Sequence, residues 1–249
     1  MTKALELLDQ VSAEPRSLGE LVAVTGLPKS TVHRLASVLV DAGFLRFDSS
    51  RYVLGYRIME LGELAKRQVR LLPVARRHME ALSAVCQETV HLGELVDTSV
   101  VYLEKVEGAR GLQMRSRIGL TAPAGITAMG KALIACQPED AWLQYFDPSL
   151  RHTPNTIVDA GAFRDELRVT RARGYALDRE ENELGICCLA APIVDATGVA
   201  RAAVSVSGAV IFLPAERLEA LAVDVVACAD AISRELGGAA GPGVGRRSA

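Results

Sequence analysis

Residues 17–54 read SLGELVAVTGLPKSTVHRLASVLVDAGFLRFDSSRYVL, and this stretch decides the fold of the first part of the chain. Ser17 stands three residues before Glu20 and precedes an apolar run, a pattern that is typical of a helix closed at its start by a capping box. Gly26 suits the left-handed position that ends such a helix. A tight turn at Pro28 then leads into a second helix, so the sequence predicts two helices joined by a short turn.

The apolar residues of this stretch have the spacing of a helix-turn-helix, in which two helices cross steeply around a small core. The offsets of that motif are met by Leu18, Leu21, Leu27, Val32 and Leu35. Val22 is a mild departure, because a smaller alanine is usual at its position. Two short strands follow, on either side of the polar tip Asp48-Ser49-Ser50, and predict a hairpin. The motif is therefore interpreted as a winged helix-turn-helix, with one more helix before it.

The polar residues of this motif predict a surface that binds double-stranded DNA, because a recognition helix contacts bases and phosphates near its N-terminus. The alternative interpretation is an ordinary three-helix bundle in which Ser30 and Thr31 only cap a helix. Residues 1–70 carry ten basic and eight acidic side chains, so affinity would depend on local placement rather than on net charge. The predicted DNA-contact residues are Ser17, Lys29, Ser30, Thr31, His33, Arg34, Arg46 and Arg51.

Composition excludes several classes of protein. The chain has 249 residues, of which 49% are hydrophobic and 23% charged, and its formal net charge is -2, as expected of a globular protein with a real core. No apolar run reaches the roughly 18–20 residues of a membrane span, and charges at Lys3, Glu6 and Asp9 argue against a signal peptide. Five cysteines without a C-x-x-C pair indicate a reducing compartment, so we expect a cytoplasmic protein.

Beyond Pro73 the pattern changes to that of a mixed α/β domain. Ile58, Leu61 and Leu64 recur at helical spacing and predict a linker helix between the two parts. The glycine-rich tail predicts disorder. Further strands are expected at 90–96, 100–106, 112–115, 175–178, 185–194 and 201–208, and further helices at 74–87, 127–135, 139–146, 163–173 and 214–236.

Several motifs, at their expected spacing, resemble the IclR family of bacterial transcription regulators. They are LVAVTGLPKSTVHRLASVL at 21–39, TAMGKALIA at 127–135, GYALDREENELGICCLAAPIVDATG at 174–198 and AAVSVSG at 202–208. The resemblance implies an α+β protein in which a winged helix-turn-helix is joined by a linker helix to a GAF-like effector-binding domain. The expected boundaries are 1–56 for the DNA-binding domain, 57–72 for the linker helix, 73–237 for the effector-binding domain and 238–249 for a disordered tail.

The same resemblance implies a homodimer or a dimer of dimers that binds a pseudo-palindromic operator. The sequence leaves both a repressor and an activator open, and we expect a repressor. A small organic acid or aromatic metabolite would change its occupancy of the operator. The effector-binding residues that the resemblance implies are Ala122, Ala128, Met129, Asp178, Cys188, Ser205 and Ser207. Strand alternation agrees in part, because it places Ser205 and Ser207 on one face, where buried hydroxyls would need partners.

Two other functions remain as alternatives. Vicinal Cys187 and Cys188 could act as a redox switch, although the sequence around them offers no nearby cation to lower a thiol pKa. A cysteine with His91 could form a nucleophile and a base, but the chain has no G-x-S-x-G, H-E-x-x-H or phosphate-loop motif. Its four histidines are scattered singly. We therefore expect no catalytic residues, no cofactor and no metal site.

Overall fold

The computed structural model describes residues 2–68, 71–110 and 114–238. The chain divides into two compact units, the first ending at Arg70 and the second beginning at Leu71. Each unit has its own hydrophobic core. Within the described ranges, no helix is long and apolar enough to cross a membrane.

The first unit contains the predicted helix-turn-helix. Helix α2 is capped by Ser17, whose Oγ accepts a hydrogen bond from the Glu20 amide at 3.3 Å. The helix ends at Gly26, whose φ of 66° is the left-handed conformation that favours glycine. The elements of this unit are α1 Thr2–Ala13, α2 Leu18–Thr25, α3 Lys29–Asp41, β1 Leu45–Asp48, β2 Arg51–Leu54 and α4 Tyr56–Gln68.

A small core holds the three helices and the hairpin together. Leu21, Val32 and Ala36 are fully buried between α2 and α3, while Leu7 carries the contribution of α1. The buried side of α1 is formed by Leu7 and Val11, whereas Leu5 is 55% exposed. The predicted helix-turn-helix offsets are thus filled by buried or partly buried apolar side chains.

The second unit is built on a six-stranded antiparallel sheet. Its elements are α5 Leu71–Cys86, β3 Thr89–Val96, β4 Ser99–Val106, β5 Thr121–Pro123, α6 Ala128–Ala135, α7 Ala160–Arg173, β6 Ala176–Arg179, β7 Ile186–Val194, β8 Ala200–Ala209, α8 Ala215–Ala220 and α9 Ala222–Glu235. The strand order in the sheet is β5-β4-β3-β8-β7-β6. Two 3₁₀ segments, Ala124–Ile126 and Glu139–Tyr145, flank α6.

Small residues let α6 approach the sheet closely. Ala190 of β7 and Ala203 of β8 face α6 in one core cluster, which Trp142 and Phe163 close on the outside. Strand alternation turns the neighbouring residues to the other side of the sheet, where α5 and α9 pack against each other and against the strands. Gly130 of α6 has no room for a side chain, because a Cβ there would lie 2.1 Å from the carbonyl oxygen of Ala124.

The structure departs from the sequence prediction at five places. The helix expected at 139–146 is a 3₁₀ helix over Glu139–Tyr145. Helix α4 ends at Gln68 and α5 begins at Leu71, so the C-terminal end of the expected 57–72 linker belongs to the next helix. The strand expected at 112–115 lies partly outside the described residues, and Met114 and Arg115 are not in a strand. The expected helix from Pro214 is two helices that meet at Leu221. The short β5 strand was not foreseen, and the tail beyond residue 238 lies outside the described residues.

The break between α8 and α9 is confined to Leu221. Its backbone stays in the right-handed helical region, with φ of -71° and ψ of -7°, and its amide donates to the Arg217 carbonyl at 3.1 Å. Leu218, Leu221 and Val225 are all buried, because a spacing of three and then four residues keeps them on one face across the break.

The close approach at Gly130 generates a prediction. Gly130→Ala places a methyl group against backbone that cannot move freely, so we expect it to lower the free energy of unfolding of the second unit by about 2 kcal/mol or more. Urea denaturation followed by circular dichroism measures this change. The matched control is Gly161→Ala in α7, whose added Cβ would meet no backbone atom, only the end of the Asp159 side chain, with Oδ1 at 3.1 Å. An equal effect of both substitutions would show that the contact at Gly130 is not a constraint.

Candidate nucleic-acid interface and ligand cavity

The N-terminal half of α3 presents the polar residues that the sequence predicts as DNA contacts. Lys29, Ser30, His33 and Arg34 are exposed and Thr31 is half-buried, while the opposite side of the helix lies in the core. In the described part of the chain, no ion pair or side-chain hydrogen bond involves Lys29 or Arg34. Their charges are therefore available to an anionic partner such as a phosphate or a guanine edge.

The wing arginines are bound within the protein. The Nη1 of Arg46 is 3.3 Å from Asp48 Oδ2, and its guanidinium carbon lies 5.3 Å from the ring centroid of Tyr56. Arg51 forms two bonds to the Glu20 carboxylate, from Nη1 to Oε2 at 2.9 Å and from Nη2 to Oε1 at 3.1 Å. The structure thus gives both arginines partners that their place beside the wing tip did not predict.

A groove of about 590 Å³ runs between the start of α2, the middle of α3 and the wing. Ser17 and His33, predicted separately from the sequence, lie on its walls together with Ser50 at the tip of the wing. The Ser17 hydroxyl also accepts the hydrogen bond that caps α2, so this residue has a structural role that does not depend on DNA. The lining residues are Ser17, Leu18, Gly19, His33, Ser37, Val40, Asp41, Phe47, Ser50 and Tyr52.

The second unit contains a cavity of about 250 Å³ between the sheet and the segment 114–123. Three of the seven residues that the family resemblance implies lie on its wall, namely Ala122, Cys188 and Ser207. The full lining is His91, Tyr102, Met114, Arg115, Ser116, Leu120, Thr121, Ala122, Pro123, His152, Asn182, Glu183, Ile186, Cys188 and Ser207.

His91 is the central polar group of this cavity, and sequence reasoning did not place it in a ligand site. Its Nε2 lies 2.7 Å from the Ser116 hydroxyl, and its Nδ1 lies 3.4 Å from the Ser207 hydroxyl. The ring also packs edge-on against Tyr102, with 5.3 Å between ring centroids. Burial, together with the positive charge of Lys105, lowers the pKa of His91 to about 3, so the imidazole is neutral at physiological pH. A neutral imidazole both donates and accepts one hydrogen bond.

Four of the predicted effector-binding residues lie outside the lining of this cavity. Ala128 and Met129 are buried in the core at the start of α6. Ser205 lies opposite His91 in the register of β8 and β3 and is 2% exposed. Asp178 lies opposite Cys188 in the register of β6 and β7. An effector role for these four residues remains a prediction.

Asp178 belongs to a buried cluster of charges. Its Oδ1 accepts a hydrogen bond from the Glu181 amide at 2.7 Å. Lys131, which is completely buried, places its Nζ 2.5 Å from Glu181 Oε1 and 3.7 Å from Glu166 Oε1. Arg173 also pairs with Glu166, at 2.9 Å. Among the described residues, no partner reaches the second carboxylate oxygen of Glu181, so the cluster holds more acceptors than its cations satisfy.

Burial governs the titration of this cluster. Loss of solvent, and next the negative charge of Glu181, raise the pKa of Asp178 to about 7, against a smaller opposing effect of Lys131. Burial also raises the pKa of Glu181. The carboxyl group of Asp178 is therefore mostly protonated below about pH 7.

The two alternative functions gain no support from the geometry. All five cysteines are free thiols, and burial raises the pKa of Cys187 and that of Cys188. A reactive cysteine requires the opposite shift, and the lowered pKa of His91 makes it a weak base. Among the described residues, no group of three or more histidine, cysteine or acidic side chains could hold a metal ion.

Comparison with known proteins gives consistent matches over both units. Residues 1–49 match the model of the IclR helix-turn-helix domain, and residues 64–234 match the model of the bacterial transcriptional regulator IclR C-terminal domain. The HTH-type transcriptional regulator KdgR of Escherichia coli K12 is 34% identical over 92% of this chain and 89% of its own length. The DNA-binding transcriptional repressor YiaJ of the same organism is 34% identical over 94% of this chain and 86% of its own length.

Solved structures give the same result. The crystal structure of the Thermotoga maritima IclR superposes with a TM-score of 0.83 at 34% identity, covering 95% of this chain and 98% of that one. An IclR homolog from Microbacterium hydrocarbonoxydans, crystallised in complex with 4-hydroxybenzoate, superposes with a TM-score of 0.79 at 25% identity, covering 94% and 98%. The α+β fold and the predicted family are thereby confirmed.

The raised pKa of Asp178 predicts how stability depends on pH. A carboxyl group that binds its proton more tightly in the folded state destabilises the fold as pH rises from the unfolded pKa near 3.8 to the folded pKa of about 7. Asp178→Asn keeps the acceptor for the Glu181 amide but carries no charge. We expect it to raise the free energy of unfolding by on the order of 2 kcal/mol near pH 8 and to change it little near pH 4. Denaturant titrations at both pH values test this, and a gain confined to acid pH would contradict it.

Proposed function

The chain belongs to the IclR family of bacterial transcription regulators, and from that membership we propose a ligand-controlled repressor that acts in the cytoplasm. A small organic acid or aromatic metabolite, bound in the second unit, controls its binding to a pseudo-palindromic operator. The observation that carries the ligand part is the His91 cavity, in which an imidazole, two serine hydroxyls and a tyrosine line a partly open space of about 250 Å³. The repressor assignment is supported by the similarity to YiaJ.

The DNA-contact surface in this proposal is the exposed N-terminal half of α3. Lys29 and Arg34 supply positive charge that no described residue pairs, and Ser30, Thr31 and His33 supply hydrogen-bonding groups beside them. Phosphate contacts give affinity and base contacts give specificity. Arg34 is the side chain that we assign to a base edge, because a guanidinium can form two hydrogen bonds to guanine.

The ligand in this proposal is small and carries both a carboxylate and hydrogen-bonding groups. The cavity is smaller than the roughly 300–1,000 Å³ of drug-binding pockets, which favours a compact metabolite. Arg115, whose side chain is 90% exposed and 3.8 Å from Glu183, stands at the rim and could exchange that weak contact for a ligand carboxylate. The relative that was crystallised with 4-hydroxybenzoate supports an aromatic acid.

Control in this proposal is a shift between two states of a homodimer or a dimer of dimers. Two recognition helices set about one DNA turn apart can read the two halves of a pseudo-palindrome. The ligand changes operator affinity only by as much as it binds one state better than the other. The helical segment expected to link the two units is the part that would transmit the change.

Arg34→Ala tests the DNA-contact surface. If Arg34 contacts a base, its loss should weaken binding by about 1–3 kcal/mol. Fluorescence anisotropy measures the dissociation constant with a labelled duplex selected from a random-sequence library by the wild-type chain. Arg164→Ala, which removes an exposed arginine from α7 in the second unit, is the matched control. Wild-type affinity in the Arg34 variant would show that the recognition surface lies elsewhere.

Ser207→Ala tests the cavity. A thermal-shift screen of aromatic and aliphatic carboxylates, including 4-hydroxybenzoate, should yield a ligand that raises the melting temperature of the wild-type protein. Loss of the Ser207 hydroxyl, which is buried, should weaken binding of that ligand about tenfold, the effect of one hydrogen bond, without changing DNA affinity in the absence of the ligand. Ser205→Ala is the matched control on the same strand and face. A response lost in the Ser205 variant and kept in the Ser207 variant would move the site towards α6, and no response to any carboxylate would refute the proposed ligand class.

A further inference from the structure

Arg51 stands in β2 beside the wing tip, where an arginine of a winged helix-turn-helix would be expected to contact a DNA phosphate. We propose that it serves DNA binding in a different way, as a positioning residue. It holds the wing against the start of α2 through the Glu20 carboxylate and does not itself contact DNA. The inference rests on the DNA-contact surface proposed above, and its test separates a failure of one from a failure of the other.

The contacts of Arg51 occupy the face of its guanidinium that points to α2. Two nitrogens bind the two oxygens of Glu20 in the parallel fork that arginine and a carboxylate prefer, at 2.9 and 3.1 Å. Nη1 also donates to the Pro15 carbonyl at 2.7 Å. Three hydrogen bonds to the α1–α2 segment therefore direct this side chain away from the wing tip.

Glu20 is fixed from the other side. Its Oε2 accepts a hydrogen bond from the Ser17 amide at 2.7 Å, which completes the capping box of α2. This bond is the first cause that lowers the pKa of Glu20, with a further contribution from Arg51. The same carboxylate thus closes the helix start and binds the wing, so the position of the wing is set relative to α2.

A second link lies one residue along the strand. Tyr52 forms an isolated antiparallel bridge with Arg16, with amide-to-carbonyl distances of 2.7 and 3.1 Å. The Tyr52 ring is 7% exposed and packs edge-on against Phe47 of the facing strand, at 5.0 Å between centroids. The hairpin is therefore joined to the segment before α2 close to its tip, by the backbone of Tyr52 and by the side chain of Arg51.

Charge gives Arg51 a second reason to stay with Glu20. The start of α2 borders the groove that also contains His33 and the wing tip. An unpaired carboxylate there would repel a DNA backbone, whereas a paired one does not. A half-exposed ion pair contributes little to global stability, so we infer that the value of this pair lies in the geometry and neutrality of the surface that meets DNA.

The dependence of DNA affinity on salt distinguishes the two roles of Arg51. Each phosphate contact adds about 0.9 to the slope of log K against log salt concentration. With the selected duplex and the full chain, Arg51→Met should lower affinity about three- to tenfold and leave the slope unchanged. Lys29→Met, which removes an exposed cation from α3, should reduce the slope by about one for each bound chain. A reduction of the slope in Arg51→Met equal to that in Lys29→Met would overturn the proposal.

Two further variants test whether Arg51 acts through Glu20. Arg51→Lys keeps the charge that neutralises Glu20 but cannot form the two-nitrogen fork, so we expect it to bind DNA more weakly than the wild type and less weakly than Arg51→Met. Glu20→Gln keeps a capping acceptor for Ser17 and removes the charge, and the double variant Glu20→Gln/Arg51→Met should bind no more weakly than Arg51→Met alone. Full affinity in Arg51→Lys, or additive losses in the double variant, would refute a role through Glu20.

Two measurements distinguish an effect on stability from an effect on the DNA-contact surface. Thermal unfolding of every variant is measured alongside binding, and a loss of affinity without a loss of melting temperature is the result that a purely structural ion pair would not produce. If Lys29→Met and Arg34→Ala leave binding intact, the proposed DNA-contact surface fails. If they weaken it while Arg51→Met retains wild-type affinity, only the positioning role of Arg51 fails.

Discussion

The second unit depends on the register of its antiparallel sheet. Ser207 lies opposite Cys188, Cys188 lies opposite Asp178, and Ser205 lies opposite His91. Because side chains alternate between the two faces of a strand, a slip of one residue would turn every one of these groups to the other side. The same pairing thus brings His91 and Ser207 to the cavity and sets Asp178 behind Cys188, next to the charge cluster.

Two polar assemblies occupy the helix α6 side of this sheet, and they differ in kind. The inner part of the cavity around His91 is uncharged, since burial keeps the imidazole neutral and hydroxyl groups provide its partners, while Arg115 and Glu183 stand at the rim. The cluster around Lys131 is charged, and its carboxyl groups outnumber the cations that neutralise them. Asp178 connects the two, because its strand partner Cys188 lines the cavity. A change of charge at Asp178 would therefore change the electrostatic potential at the cavity wall.

In the first unit, the distribution of ion pairs separates two kinds of basic residue. Arg46 and Arg51 are engaged in the wing, whereas Lys29 and Arg34 project from α3, and no partner for either is found within the described residues. The sequence treats all four alike, since each is a cation near a polar turn. Only the folded structure shows that Glu20, 31 residues before Arg51, binds the Arg51 guanidinium. Basic residues in such a motif can thus build the surface as well as contact DNA.

The amino-acid sequence by itself determined the helix-turn-helix, the wing, most strands of the second unit and the family. These features rest on local rules, since a capping box, a left-handed glycine and an apolar repeat each act within a few residues. The tertiary structure decided which side chains meet. His91 and Ser207 are 116 residues apart, and Lys131 and Glu181 are 50 apart. Sequence periodicity assigns a residue to a face of its own strand, but strand order and register decide which residue it faces, because those depend on the packing of the whole sheet.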